Sequence, residues 1–345
     1  MAIGNNTFGF QINDVSYSGT YSDYLLMPAI AGADSVNKGA VAVIDNIKKQ
    51  HTIARLQYDT PLVQNMANPV PQNPNGFQLD GRLIVPQDVD IYEEFNPRDL
   101  EQNQYAQLLQ NMILDRPVPN ELQAKMVKIL MEQAMNYYDK GIWMGCYNYF
   151  SSQPAGTYKS QLQFFNGLIY QMLNDPGVQL SNYGSGPVTL TSSNILAVLD
   201  SLIQQVSTST ARALVGSIEH RKYMKFGMSY KTYQIFSQAL RTGLTFKGTA
   251  IDLGAKPSYG GYDIIEINGM PDDTIVFCKM DSTPGIGANL YAGMNSWADW
   301  TVKSGPVSNT GERFFILAKF KWGVQYGWSN ETFLYTTLTK ASFTN

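Results

Sequence analysis

The stretch EINGMPDDTIVFCKMDSTPGIGANLYAGMN, Glu266 to Asn295, admits two readings that lead to different proteins. Its acids Glu266, Asp272 and Asp273, its proline turn and its spaced glycines suit an acidic active-site loop. They suit equally a strand, a tight turn and a return in a structural block. The chemistry of the loop separates the two. Gly285-Ile286-Gly287-Ala288-Asn289-Leu290 begins as a dinucleotide-binding GxGxxG, but Leu290 stands where the third glycine belongs. No capped helix follows to present its N-terminus to a phosphate. Asp272 and Asp273 follow Pro271 directly, in a turn where Asp bonds its own backbone. A hard cation would need further carboxylates; Asp263, Glu266 and Asp281 are the nearest, and the region has no histidine. The turn reading is favoured. Tyr262 to Ile267 is then one strand, Asn268 to Pro271 the turn, and Thr274 to Cys278 the partner strand.

The flanks alternate between helix and strand patterns. MKFGMS, Met224 to Ser229, reads as a short strand ending at a cap, and Ser229 opens a helix with Tyr233, Phe236 and Leu240 inward and Gly243 at its end. Asn194 caps a helix striped by Ile195, Leu199, Leu202, Ile203 and Val206. Phe314, Ile316, Ala318, Phe320, Trp322 and Val324 alternate without a fault, a half-buried strand of about ten residues. FFNGLIYQML, Phe164 to Leu173, is an apolar helical segment stopped by Asn-Asp-Pro-Gly. Asn96 and Pro97 start another helix, with Tyr105, Leu108, Leu109, Met112 and Ile113 as its stripe. After RPVP, Asn120 and Gln123 resemble a capping box. They precede a helix of about twenty residues whose apolar face is Leu122, Met126, Ile129, Leu130 and Tyr137.

Between Lys49 and Phe95 lies a long hairpin. Thr52, Ala54 and Leu56 alternate with Ile53, Arg55 and Gln57; NPVPQNPNGF, Asn68 to Phe77, forms a turn-rich tip; Val89, Ile91 and Phe95 share one face of a returning strand. Isolated two-stranded ribbons are marginal, so this one is expected to rest on another surface. Residues 1–40 hold no sustained helical period and read as an extended arm. Helices and hairpins in mixed order predict an α+β fold.

Composition narrows the function. The chain has 345 residues, long for one simple core, and is 44% hydrophobic. Only 15% of residues are charged, against about 25% in an ordinary soluble domain, while 21 Tyr and 14 Met stand in their place. Contact surfaces prefer such residues, because a desolvated charge is costly. A net charge of −3 gives no whole-chain attraction to nucleic acid or anionic membrane. The start has no signal-peptide pattern, and no apolar run approaches a membrane span. Cys146 and Cys278 read as lone buried thiols.

Catalytic patterns are sparse. His51 and His220 are too far apart to ligate zinc as a helical pair, and no GxSxG, HExxH or P-loop lysine occurs. The expectation is no catalytic residue, no metal and no cofactor. The run His220-Arg221-Lys222 with Lys225 is expected to be a solvated face or an intersubunit contact. A sugar-binding alternative rests on Tyr137-Tyr138 and on Trp297 with Trp300.

With these segments in place, their order resembles the major capsid proteins of tailed bacteriophages, which share the Hong Kong 97 fold. A Gly-Ala-Val-Ala-Val strand leads into the hairpin, and RLIVPQDVDIYEEFNPRDLEQ follows. Then come FFNGLIYQML, SSNILAVLDSLIQQV and YMKFGMSYKTYQIFSQAL. GMPDDTIVF, ANLYAG and the closing ERFFILAKFKWGVQYG complete the series. The resemblance spans nearly all the chain from about residue 40. It implies an N-terminal arm (1–40), an extended hairpin loop (41–95) and a peripheral domain with a long spine helix (96–185). It further implies an axial domain (186–310) and a return strand of the peripheral domain (311–345).

The implied function is a shell protein that self-assembles, as pentamers and hexamers, into the icosahedral container of a phage genome. GMPDDTIVF and ANLYAG would be a strand, a turn and a return within the axial domain. Met66, Pro69, Pro71 and Phe77 at the hairpin tip are the expected subunit contacts. Portal, scaffolding and decoration proteins are the implied partners, with only weak contact to packaged DNA and none to membrane. The implied location is the virion, assembled in the host cytoplasm. The family's Lys–Asn cross-link with its assisting Glu has no match here, and the short arm suggests a separate scaffold or none. The alternatives are an encapsulin-like compartment, a tail sheath or tube subunit, and a secreted carbohydrate-binding or hydrolytic protein.

Overall fold

The computed structural model describes residues 15–18, 33–58, 77–95, 120–147, 162, 164–181, 183, 186–208, 218–242, 257–285, 287–295, 301–307 and 313–343. In chain order these form β1 (Val15–Ser18), α1 (Asp34–Asn37), β2 (Ala42–Ile44), β3 (His51–Tyr58), β4 (Phe77–Ile84) and β5 (Gln87–Phe95). Next come α2 (Asn120–Met144), α3 (Leu168–Asn174), β6 (Gln179–Leu180), α4 (Ile195–Thr208), α5 (Ile218–Arg221), β7 (Met224–Met228) and α6 (Tyr230–Thr242). β8 (Ser258–Tyr259), β9 (Tyr262–Glu266), β10 (Thr274–Lys279), β11 (Leu290–Met294), β12 (Thr301–Pro306), β13 (Phe314–Tyr326) and β14 (Phe333–Thr336) follow. The order is α+β, as the sequence predicts. The expected helix from Asn96, with its stripe Tyr105 to Ile113, lies outside the described residues.

The chain divides into two compact units. One comprises residues 1–30, 88–135 and 295–321, the other 31–87, 136–294 and 322–345. In the first, β12 pairs antiparallel with β1 on one side and β13 on the other. The alternation along β13 is as expected: Phe314, Ile316, Ala318 and Phe320 are buried, as are Trp322 and Val324 further on. The strand continues to a buried Tyr326, thirteen residues in all. β5 also pairs with β13. It is thus not the returning arm of the hairpin; β4 is. The Val85-Pro86 step separates the two strands, since proline withholds a ladder donor.

The second unit is built on a mixed sheet of order β6-β14-β10-β7-β9-β8. The expected strands Tyr262 to Ile267 and Thr274 to Cys278 do not pair as neighbours. Instead β7 lies between them, antiparallel to β10 and parallel to β9. An apolar run does not name its partner, and MKFGM fits the middle position because Gly227 leaves room there. A Cβ on Gly227 would come within 2.9 Å of Met280 and 3.2 Å of Ile267. Every residue of β10 is buried, which is why its centre, IVFC, reads as a continuous apolar run and not an alternation. Across the sheet Phe333, Phe277, Phe226 and Ile264 stand in register. Phe226 stacks on Phe277 at 4.1 Å between centroids, and Tyr262 meets Phe277 edge-on at 5.0 Å. These rings join one core with Ile195, Val198, Leu199 and Leu202 of α4 and Phe236 and Ala239 of α6.

Three local expectations change. Helix α2 buries Val127, Met131, Ala134, Tyr138 and Ile142, whereas Ile129 on the expected stripe is 50% exposed. The buried face lies about one residue step from the expected stripe, in which Ile129 and Leu130 outweigh a small Ala134 by hydrophobicity. Helix α3 begins at Leu168, not Phe164. Just before it the chain crosses another backbone segment, where Gly167 donates to the Gly145 carbonyl at 2.7 Å. A Cβ on Gly167 would lie 2.5 Å from the Gly145 nitrogen. Asn194 precedes α4, but its side chain turns back, accepting the Thr191 N–H at 2.7 Å and donating to the Thr189 carbonyl. Ser229 behaves as expected, its Oγ accepting the Thr232 N–H at 3.3 Å.

A second element of this core is polar. Lys279, at the end of β10, holds Glu331 at 2.8 Å with both side chains buried. Its Nζ also meets His220 Nδ1 at 3.3 Å, and Asn289 beside it bonds the Trp328 backbone and Thr332 Oγ1. Removing one partner of a buried pair costs about 3–5 kcal/mol, whereas replacing both by apolar groups is often neutral. Lys279→Met should lower the urea midpoint markedly, and Lys279→Met with Glu331→Leu should recover most of the loss. Equal midpoints for wild type and the single variant would show the pair to be energetically idle.

Candidate assembly surface

β3 and β4 form a two-stranded sheet of their own, paired antiparallel from His51↔Ile84 to Tyr58↔Phe77. Eight residues per strand extend it by about 27 Å. Of the expected contacts, Phe77 opens β4 opposite Tyr58; Met66, Pro69 and Pro71 lie outside the described residues.

Its root is anchored in two ways. Ile53 and Ile84 are buried in an apolar cluster with Ala42, Ile47, Ala288, Tyr291 and Trp328. Beside them, Arg82 pairs with Asp175, at the end of α3, and its guanidinium lies 4.2 Å over the Tyr326 ring. Tyr326 Oη donates to the same carboxylate at 2.6 Å, and Asp175 also accepts the Gly177 N–H at 2.8 Å. Gln325 Nε2 donates to the Leu83 carbonyl at 3.2 Å. Burial alone would raise the Asp175 pKa. The hydrogen bonds from Tyr326, Arg82 and Gly177 outweigh it and hold the carboxyl below its ordinary value. Burial works against the Arg82 charge too, and Asp175 together with Tyr326 more than compensates. Sequence reasoning missed this clamp. Arg82, Asp175 and Tyr326 are scattered along the chain, and no spacing rule joins them.

The strand ANLYAG does not return within the sheet of β10. As β11 it pairs parallel with β2 and antiparallel with residues 322–326 of β13. Gly293 permits this: a Cβ there would meet Ile84 at 2.6 Å and Ile47 at 2.8 Å.

The turn acids are occupied by the fold. Asp273 sits at φ 54°, a left-handed position, and its carboxylate accepts the Leu190 N–H at 2.9 Å. Asp272 accepts from Ser229 Oγ at 3.0 Å and Lys231 at 3.3 Å. Among the described residues no group of three or more His, Cys, Asp or Glu is placed to hold a metal ion. No helix among them is long and apolar enough to cross a membrane. Cys146 and Cys278 are free buried thiols, as expected, and burial pushes the Cys278 thiol up. Arg221 and Lys222 of the basic run lie over the Tyr262 and Tyr223 rings. Tyr138 is buried against Trp322, so it offers no face to a sugar; Trp297 and Trp300 lie outside the described residues.

The sequence also gave no sign of a pin at the N-terminal side. Asp139, buried on α2, accepts the Ser35 N–H of α1 at 2.9 Å, and Trp143 Nε1 donates to Ser35 Oγ at 2.8 Å. Burial raises the Asp139 carboxyl above its usual value despite these bonds.

No family model matches the chain, and no curated protein matches it in sequence. Solved structures do. A chain of the satellite phage P4 procapsid, which includes the size determination (Sid) protein, matches with TM-score 0.56 at 7% identity. The match covers 92% of this chain and 99% of that one. The capsid of Myoviridae phage XM1 matches with TM-score 0.53 at 14% identity, over 89% of this chain and 92% of that one. The capsid of the empty GTA particle gives 0.52 at 13%, over 87% and 88%. The fold is that of phage capsid proteins, the class the sequence pattern resembled.

The clamp makes the hairpin root acid-sensitive. Because the folded pKa of Asp175 is lowered, its contribution to stability is complete above about pH 4 and is lost as the pH falls through the folded value. Asp175→Asn should remove that part of the acid sensitivity, measured as the fall in urea midpoint between neutral pH and the acid range. A parallel fall in wild type and variant would mean the carboxylate is not what titrates.

Proposed function

We propose that this chain is the major capsid protein of a tailed bacteriophage, assembling with its own copies into an icosahedral shell around double-stranded DNA. The observation that carries the reading is the likeness to three capsid-particle chains over nearly the whole length of both partners. A match of that extent leaves little of the chain for a separate activity, which supports a structural rather than a catalytic role. The low charge and the aromatic-rich composition support it too, since such residues suit surfaces that become buried. The solved relatives in fold are phage and GTA capsids, which favours a genome container over an encapsulin-like compartment.

In this reading assembly is heterologous: one surface of a subunit meets a different surface of the next, and closure follows from five- and six-fold rings. The ribbon β3–β4 is the reaching element, with Met66, Pro69, Pro71 and Phe77 as contacts on a neighbour. Residues 1–40 act as an arm, the sheet of β10 with α4 and α6 as the core of an axial domain around the rings, and α2 with β13 as part of a peripheral domain. Portal, scaffolding and decoration proteins are further partners. The protein resides in the virion after assembly in the host cytoplasm.

Expression of the full chain in bacteria should give closed shells or capsomer-sized rings by negative-stain electron microscopy. Deleting residues 68–76 should leave a folded chain, by circular dichroism, that forms no complete shell. Complete shells from the deletion variant would exclude the proposed role of the tip.

A further inference from the structure

The two anchors of the ribbon differ in kind. The Ile53 and Ile84 contacts are apolar, and apolar contact is non-directional, so it holds the root without fixing an angle. The Arg82 contact is directional. A guanidinium presents its donors in a rigid planar fork, and here one nitrogen of the fork pairs with a carboxylate while the group lies 4.2 Å over an aromatic ring. Asp175 is itself held by Tyr326 and by the Gly177 N–H, so the acceptor cannot follow the fork if the ribbon turns. Tyr326 belongs to β13 and Asp175 to the end of α3, so the fork is fixed to two elements of the same unit.

We propose that Arg82 is a positioning residue whose stacked pairing to Asp175 over the Tyr326 ring sets the angle at which the β3–β4 ribbon leaves its unit. The ribbon is joined to the rest by short connections, Asp45 to Gln50 before it and Val85-Pro86 after it. With the fork removed, only the apolar root and the single Gln325–Leu83 bond remain, and the ribbon swings on them as one piece. In a shell, where a tip must reach a set point on a neighbour, this angle would decide whether subunits fit. That consequence rests on the capsid reading; the angle itself does not.

The test is a distance distribution by double electron–electron resonance on the full chain. One nitroxide is placed at Gln57 in β3 and one at Lys140, exposed on α2 within the same unit. The native cysteines are buried and react slowly with the label. Wild type should give one narrow distance. Arg82→Lys keeps the charge but loses fork and stacking, and should broaden the distribution, raising the swung population by roughly tenfold or more. Tyr326→Phe keeps the ring, loses one hydrogen bond and should fall between. Hydrogen exchange in β10 reports the core, and should be unchanged in both. Narrow distances in all variants would overturn the proposal. So would a loss of β10 protection in step with the ribbon, because Arg82 would then support global stability rather than an angle. Shells are scored separately: wild-type chains that never assemble would count against the capsid reading and leave the angle measurement intact.

Discussion

A ribbon of two strands has two faces and no interior, and that constraint governs the β3–β4 hairpin. Eight paired residues per strand carry the chain about 27 Å from its root, and nothing inside such a ribbon can hold it together. Its stability is borrowed from the root. Burying Ile53 and Ile84 contributes roughly 1.5–3 kcal/mol each. The half-buried Arg82–Asp175–Tyr326 clamp adds charge-assisted bonds that are shorter in range and stricter in geometry. The apolar contacts supply the larger energy, and the polar ones supply the direction.

The sheet behind the root solves the opposite problem. β10 is covered on both faces, so it needs no polar alternation and tolerates none. The one charge it buries, Lys279, survives by meeting Glu331 at 2.8 Å where β10 ends. Such a pair is weak as a stabiliser against an apolar substitute, yet costly to break. It fixes the partner of β10's last residue in a region where the rest of the packing is interchangeable aromatic surface. The turn of Asp272 and Asp273 works similarly. Acids that resemble ligands in the sequence are spent on the start of α6 and on the Leu190 backbone.

Glycines leave room where neighbours press close. Gly167 meets the Gly145 backbone, whereas Gly227 and Gly293 leave space for the side chains of Met280 and Ile84. Each lies where an expectation from the sequence changed: the start of α3, the order of β10 and β9, and the sheet to which β11 belongs.

The sequence by itself determined the pieces. Six alternating apolar residues from Phe314 to Val324 define β13, Ser229 defines the start of α6, and the stripe of Ile195, Leu199 and Leu202 defines α4. These are local signals, set by the period of a strand or helix and by caps within a few residues. Their order was enough to bring out the resemblance to a capsid fold. Only the tertiary structure decided which strands are neighbours, which face of α2 is buried and what fixes the hairpin. β7 inserts between β9 and β10 with Gly227 leaving room there, Ala134 is buried where Ile129 is exposed, and Arg82 finds Asp175 across ninety-three residues. Pairing of this kind depends on shape and charge brought together from distant parts of the chain, and a linear pattern carries no record of that distance.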